Sequence, residues 1–274
     1  MNLIVKLIAV IATIAPACTF AAHPISPWYG RLWEAEATTS YSYASFDQIK
    51  SGRETIESKA ENHLVDFDLA TMAWPDLNIA ASIQLANTKR NELGIVTLGF
   101  TGEYLWLDDV ARDAISLSTG FSLFSHPSKA KNDPHLFVLS NAQLQLHLSL
   151  GKEISRGEEW SWRFWQNTFA TVANRGSPSL GIALGAQMRF WENHALAMEM
   201  IGWKGFGKRN FPAVNAFSGY ASIDYCTLDA EAKYTYYMPV WGRISLGYMR
   251  TIAVSNAPQS RKTFSCSYTL PFGI

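Results

Sequence analysis

Carboxylates recur two residues apart in the first half of the chain, at Glu34 and Glu36 and again at Asp66 and Asp68. In an extended chain successive side chains point to opposite faces, so residues two apart share one face. Each pair therefore presents two negative charges to a single surface. Glu103 adds another acid, and Arg163, Arg189 and Lys233 carry the opposite sign on similar stretches. Such charges could do acid–base chemistry, hold a cation or line a wet passage. Hydrolysis would need a nucleophile, a base and an orienting group within reach of one another. No Gly-x-Ser-x-Gly turn occurs, and His63, His126, His135, His147 and His194 are scattered. His63 shares a stretch with Asp66 and Asp68, the one place where an acidic protease cleft could form. Zinc-ligand spacing and a phosphate-binding loop are missing, and Gly205-Phe-Gly207 lacks the third glycine of a dinucleotide fingerprint. The sequence points to no catalytic residue, no metal ligand and no cofactor.

The elements that carry these residues have a period of two. NAQLQLHLSL, 141–150, sets Ala142, Leu144, Leu146, Leu148 and Leu150 against Asn141, Gln143, Gln145, His147 and Ser149. Comparable stretches cover 31–43, 65–69, 77–86, 96–106, 115–123, 180–190, 196–200, 228–236, 244–248 and 263–272. The stretch 160–172 is less regular, since Trp165 and Phe169 fall with the polar set, and 217–226 reads either as strand or as loop. Connections alternate as well. Those at 73–76, 107–112, 151–158, 191–194 and 239–242 are compact, whereas 46–62, 125–135 and 204–227 are long and polar. Segment 48–62 carries both charge signs and reads as mobile and exposed. Trp28, Trp33, Trp74, Trp106, Trp160, Trp162, Trp191 and Trp241 fall near the compact ends, where an amphipathic ring suits a membrane interface.

The N-terminus bears on location. Lys6 precedes a short apolar run, and Thr19 and Ala21 stand at the small positions of a cleavage site. The reading is a secretory signal at 1–21 and one barrel domain over 22–274; Cys18 offers a lipoprotein alternative. Cys226 and Cys266 remain after cleavage, able to pair or to serve as unpaired fillers. Lys+Arg and Asp+Glu both number 23, so no global field favours nucleic acid. Together these features predict an all-β fold: a closed antiparallel transmembrane β-barrel of about 12 strands, with short periplasmic turns and longer extracellular loops.

The chain then resembles the Gram-negative outer-membrane β-barrel proteins, and FSCSYTLPF, 264–272, resembles their C-terminal assembly strand. That family usually ends on the aromatic itself, whereas Gly273 and Ile274 follow Phe272 here. The resemblance is architectural and covers nearly the whole mature chain. It implies an outer-membrane location, contact with membrane lipid and lipopolysaccharide, and periplasmic chaperones and barrel-assembly machinery as partners. A ring of twelve lies between barrels filled by their side chains and open porins. On this reading Glu34, Glu36, Asp66, Asp68 and Glu103 supply acidic lumen residues, and Arg163, Arg189 and Lys233 basic ones. Gln143, Gln145 and His147 form an uncharged strip. Acids on strands 1 and 2 would face Arg163 and Arg189 across the lumen, giving a transverse field for small hydrophilic solutes; alternatively the charges bridge and plug the barrel. Porin-like passage is the working expectation, with a barrel hydrolase or a plugged structural or adhesin barrel as alternatives. The basic, aromatic segment 204–211 could touch lipopolysaccharide phosphates, fold into the lumen or stay solvated.

Overall fold

A computed structural model describes residues 25–30, 32–156 and 159–273, so the predicted signal at 1–21 lies outside the described residues. Twelve long strands close into one antiparallel barrel. They are β1 (Glu34–Ser51), β2 (Glu54–Trp74), β3 (Leu77–Asn87), β4 (Gly94–Leu107), β5 (Ser116–Ser125) and β6 (Ala142–Arg156). The ring continues through β7 (Glu159–Ala173), β8 (Ser179–Phe190), β9 (His194–Gly205), β10 (Cys226–Met238), β11 (Gly242–Ser255) and β13 (Lys262–Gly273). A two-residue strand, β12 (Pro258–Gln259), pairs with the outer end of β1. One short helix, α1 (Ser128–Lys131), lies in the β5–β6 loop. The ring closes where β1 pairs with β13, from Glu34↔Gly273 to Ser45↔Lys262.

The two-residue period sorts every wall. On β6, Gln143, Gln145, His147 and Ser149 are buried inside, while Leu146 is 54% exposed on the outside. Phe67, Leu69, Ile83, Leu98, Phe100, Ile182 and Leu184 are exposed on the same outer surface. A soluble monomer does not carry so continuous an apolar girth, whereas a barrel in lipid needs one. Aromatic residues edge it. Trp33, Trp74, Trp106, Trp162, Trp191 and Trp241 are exposed toward the compact-turn end. At the other end His63, Tyr43, Phe264 and Tyr248 are lateral neighbours in one row across β2, β1, β13 and β11. Trp28 and Trp160, counted with the belt from sequence, instead turn inward and line a lumen cavity. Cys226 and Cys266 are free thiols on β10 and β13.

Segment 46–62, expected as a long polar connection with 48–62 mobile, is instead strand: β1 runs to Ser51, Gly52 turns the chain at φ 59°, and β2 begins at Glu54. A bulge between Phe46 and Gln48 shifts the register, and the alternation was further masked by charged residues on the outer face. Phe46, Ile49, Ala60 and Asn62 are buried because loops inside the mouth cover them. Segment 217–226 is loop up to the start of β10 at Cys226, with a short 3-10 turn at Tyr220–Ser222 that follows another at Val214–Ala216.

Substituting Leu146→Arg should cost about 2–4 kcal/mol of folding free energy in vesicles, because it places a charge near the bilayer midplane. Denaturant titration followed by tryptophan fluorescence measures this. A cost near zero would mean that β6 does not face lipid.

Candidate functional site

Glu34, Glu36, Glu103, Arg163 and Lys233 line the inner cavity, and Asp66, Gln143, Gln145 and His147 are buried, while the charges pair with neighbours along the wall. Arg243 on β11 binds Glu36 with both guanidinium nitrogens, at 2.9 and 2.7 Å. Arg163 pairs with Glu153 at 2.6 Å, and Arg189 with Glu159 at 3.2 Å. Asp66 accepts hydrogen bonds from Gln84 (2.7 Å) and Ser40 (3.1 Å), with Asp68 two residues along the same face. Glu103 accepts from Asn78 at 2.9 Å and lies 3.4 Å from His147. Glu153 was missed because β6 continues through 151–156, read from sequence as a turn. His63 points outward, where it bonds Tyr41 at 2.7 Å, so it shares no cleft with Asp66 and Asp68.

The outer mouth is closed from within. The β5–β6 loop, 126–141, carries α1 to the inward faces of β1–β4, where Ala130, Leu136 and Val138 pack with Ala44, Leu64, Ala86 and Val96. The β9–β10 loop, 206–225, brings Phe211, Phe217, Tyr220, Ile223 and Tyr225 against inward Phe46, Phe169 and Trp203. Backbone bonds from Tyr220 and Ala221 to Val138 and Leu139 join the two loops, and the Tyr220 hydroxyl donates to the Pro134 carbonyl at 3.0 Å. Asp133 anchors the first loop, accepting from Thr88 (2.5 Å) and Asn91 (2.7 Å). Burial works to raise its carboxyl, but His135, Thr88 and the His135 amide outweigh it and hold the group below the usual range. His126 and His135, not singled out for the lumen from sequence, are both buried here. Burial pushes the His126 imidazole down to about 4. Within the basic stretch 204–211, Phe211 is buried while Lys208 and Arg209 remain exposed.

Among the described residues, the inner half keeps a cavity. A chamber of about 400 Å³ is lined by Glu34, Glu36, Glu103, Arg163, Lys233 and Arg243, with Trp160, Trp165 and Tyr237, and also by Glu199 and Glu231. The last two stood on polar faces in the sequence but nothing there set them apart. The N-terminal segment 25–30 folds into this chamber. Pro27 is fully buried, the Ile25 carbonyl accepts from Asn167 at 2.9 Å, and the Trp28 indole donates to Asp109 at 3.1 Å. Gly151 makes room: a Cβ there would come within 2.5 Å of Pro27 and 2.7 Å of Trp28. Burial tends to raise the Asp109 carboxyl, but Ser116, the Glu153 amide, Trp28 and Lys152 hold it low. Trp28 also ends a stack of alternating rings and guanidinium groups. Arg163 lies 5.0 Å from Trp28 and 4.6 Å from Trp160, and Arg189 lies 5.8 Å from Trp160 and 5.4 Å from Tyr237. Each contact is within cation–π range.

Two outcomes follow. Gly151→Ala should push the N-terminal segment off the wall, so proteolytic trimming of 22–30 should accelerate several-fold in detergent-folded protein; unchanged trimming would contradict the docking. The second concerns pH. A histidine whose folded pKa is depressed favours the closed loops fully above its unfolded value near 6.5 and loses that contribution as pH falls toward 4. Amide exchange in 126–141, corrected for intrinsic rate, should quicken over that window in the native chain and not in His126→Gln. The Asp133 contribution should fade only below about pH 4, the ordinary carboxylate range.

No protein-family model matches the chain, and no curated protein matches it in sequence. Solved structures do match. The chain is similar to an outer-membrane channel from Pseudomonas putida F1 at 12% identity and a TM-score of 0.66, over 92% of this chain and 100% of that one. It is similar to the NanC porin at 7% identity and TM-score 0.55, over 86% and 98% of the two chains. It is also similar to the KdgM porin in complex with disordered oligogalacturonate, at 10% identity and TM-score 0.51, over 84% and 98%. At these identities the likeness is one of fold, and the fold is that of the Gram-negative outer-membrane β-barrels.

Proposed function

We propose that the chain is a narrow outer-membrane channel that passes small hydrophilic solutes when the inward-folded loops move aside. One observation carries the reading: a charged, water-facing chamber of about 400 Å³ lies within the membrane wall and is closed toward the outside by loops alone. A purely structural or adhesive barrel has no use for such a space, and the separation of His63 from Asp66 and Asp68 weakens the hydrolase alternative. Likeness in fold to channel proteins points the same way. Glu34, Glu36, Glu103, Arg163 and Lys233 would contact solute in the chamber, while Asp66, Asp68, Gln143, Gln145 and His147 extend the polar wall outward. Arg189 would act through the ring stack at the inner rim. Lipopolysaccharide around the outer rim, and periplasmic chaperones with the barrel-assembly machinery, are the partners this reading implies.

Planar-bilayer recording of the mature chain tests it. Small, infrequent conductance steps are expected, and replacing 208–222 by a short Gly/Ser linker should raise open probability or step size several-fold. If neither protein conducts, the channel reading is wrong.

A further inference from the structure

Glu199 on β9 and Glu231 on β10 stand directly opposite each other in register, and both line the chamber. Side chains so placed have Cβ atoms roughly 4.5–5.5 Å apart, and like charges there destabilise the sheet. Glu199 accepts the Trp165 indole N–H at 2.6 Å, a neutral donor. Glu231 receives neither hydrogen bond nor ion pair from any described residue. Other chamber acids are answered locally, Glu36 by Arg243 and Glu103 by Asn78 and His147. Lys233, two residues along the same face, makes no ion pair with a described residue, so two carboxylates stand against one ammonium. Two glycines let the neighbouring side chains settle against the wall beside the pair. A Cβ on Gly247 would come within 3.0 Å of Glu231 Oε1, and one on Gly185 would run into the Trp165 ring, which lies flat across that glycine.

The pair sets two carboxylates beside the one ammonium of Lys233, and the surroundings narrow what else could bind them. Among the described residues no group of three or more His, Cys, Asp or Glu could hold a metal ion. An ammonium head brings three donors for two carboxylates and gains from an adjacent aromatic face. We infer that Glu199, Glu231 and the Trp165 ring form a binding site for small solutes bearing an ammonium group. The inference rests on the chamber being the channel's solute site, yet binding there does not require conduction. It also gives the chamber a charge preference opposite to that of the oligogalacturonate bound by the KdgM porin.

The test titrates detergent-folded mature chain with ethanolamine hydrochloride, with uncharged ethylene glycol and anionic glycolate as comparisons at fixed ionic strength. Tryptophan fluorescence is the readout, and Trp165→Phe identifies the reporting ring. Ethanolamine should give a saturable change that the other two lack. Glu231→Gln should weaken it at least 10-fold, and Lys233→Gln, which removes the competing ammonium, should tighten it several-fold. Equal responses to ethylene glycol, or unchanged ethanolamine binding in both variants, would overturn the inference. Conductance without ammonium binding removes this site alone; ammonium binding without conductance removes only the channel.

Discussion

Backbone hydrogen bonding in lipid is the constraint from which the rest follows. With no water in the hydrocarbon region, each unpaired N–H or C=O costs several kcal/mol, so a sheet there must have no edge. The β1–β13 seam removes the edge, running twelve residues of β1 along β13 from Glu34↔Gly273 to Ser45↔Lys262. Closure at this strand number fixes a narrow interior, and the pleat sends every second side chain into it. Those residues are polar and satisfy one another across strands: Thr101 with Ser122 at 2.8 Å, Ser149 with Asn167 at 2.7 Å, Thr235 with Ser245 at 2.9 Å. Each such bond contributes only about 0.5–1.5 kcal/mol net, while a buried partner left alone costs about 1–3 kcal/mol. Pairing is thus mainly a condition for keeping a polar wall in a confined space.

The two ends of that space are treated by different physics. The outer mouth is sealed by burial of rings, with Phe137 stacked on Tyr220 at 4.3 Å and Phe169 on Trp203 at 5.3 Å. The first pair joins the two mouth loops, and the second belongs to the walls of β7 and β9, against which the β9–β10 loop packs. The inner end keeps a charged lining, and the chain's own segment 25–30 docks into it through a few directional contacts at Asp109, Arg163 and Asn167. On the function proposed above, a chamber between an apolar seal and a docked N-terminal segment would favour gated passage over free diffusion.

Strand positions and faces were legible in the sequence because a period of two survives almost any composition, and β6 shows this in ten residues. Three features were not. Segment 46–62 hid its strands because a bulge shifted register and charges crowded its outer face. The loops gave no period, and the only sign that 206–225 folds inward was an excess of rings (Phe206, Phe211, Phe217, Tyr220 and Tyr225) that a solvated loop has no reason to carry. Charge partners were the least legible. Glu36 and Arg243 are 207 residues apart and meet only because β13 brings β11 beside β1. Glu199 and Glu231 become notable only once register sets them face to face.

Side-specific thiol labelling addresses the central proposal, that one polar lumen is reachable from its inner end and sealed by loops at its outer end. Cys226 and Cys266 would be replaced by alanine and a single cysteine placed at Ser245, which lines the chamber. A bulky, membrane-impermeant maleimide is then applied to either face of oriented vesicles. Rapid labelling from the inner face with slow labelling from the outer face is the expected result. Equal rates from both faces, or labelling from the outer face alone, would contradict it.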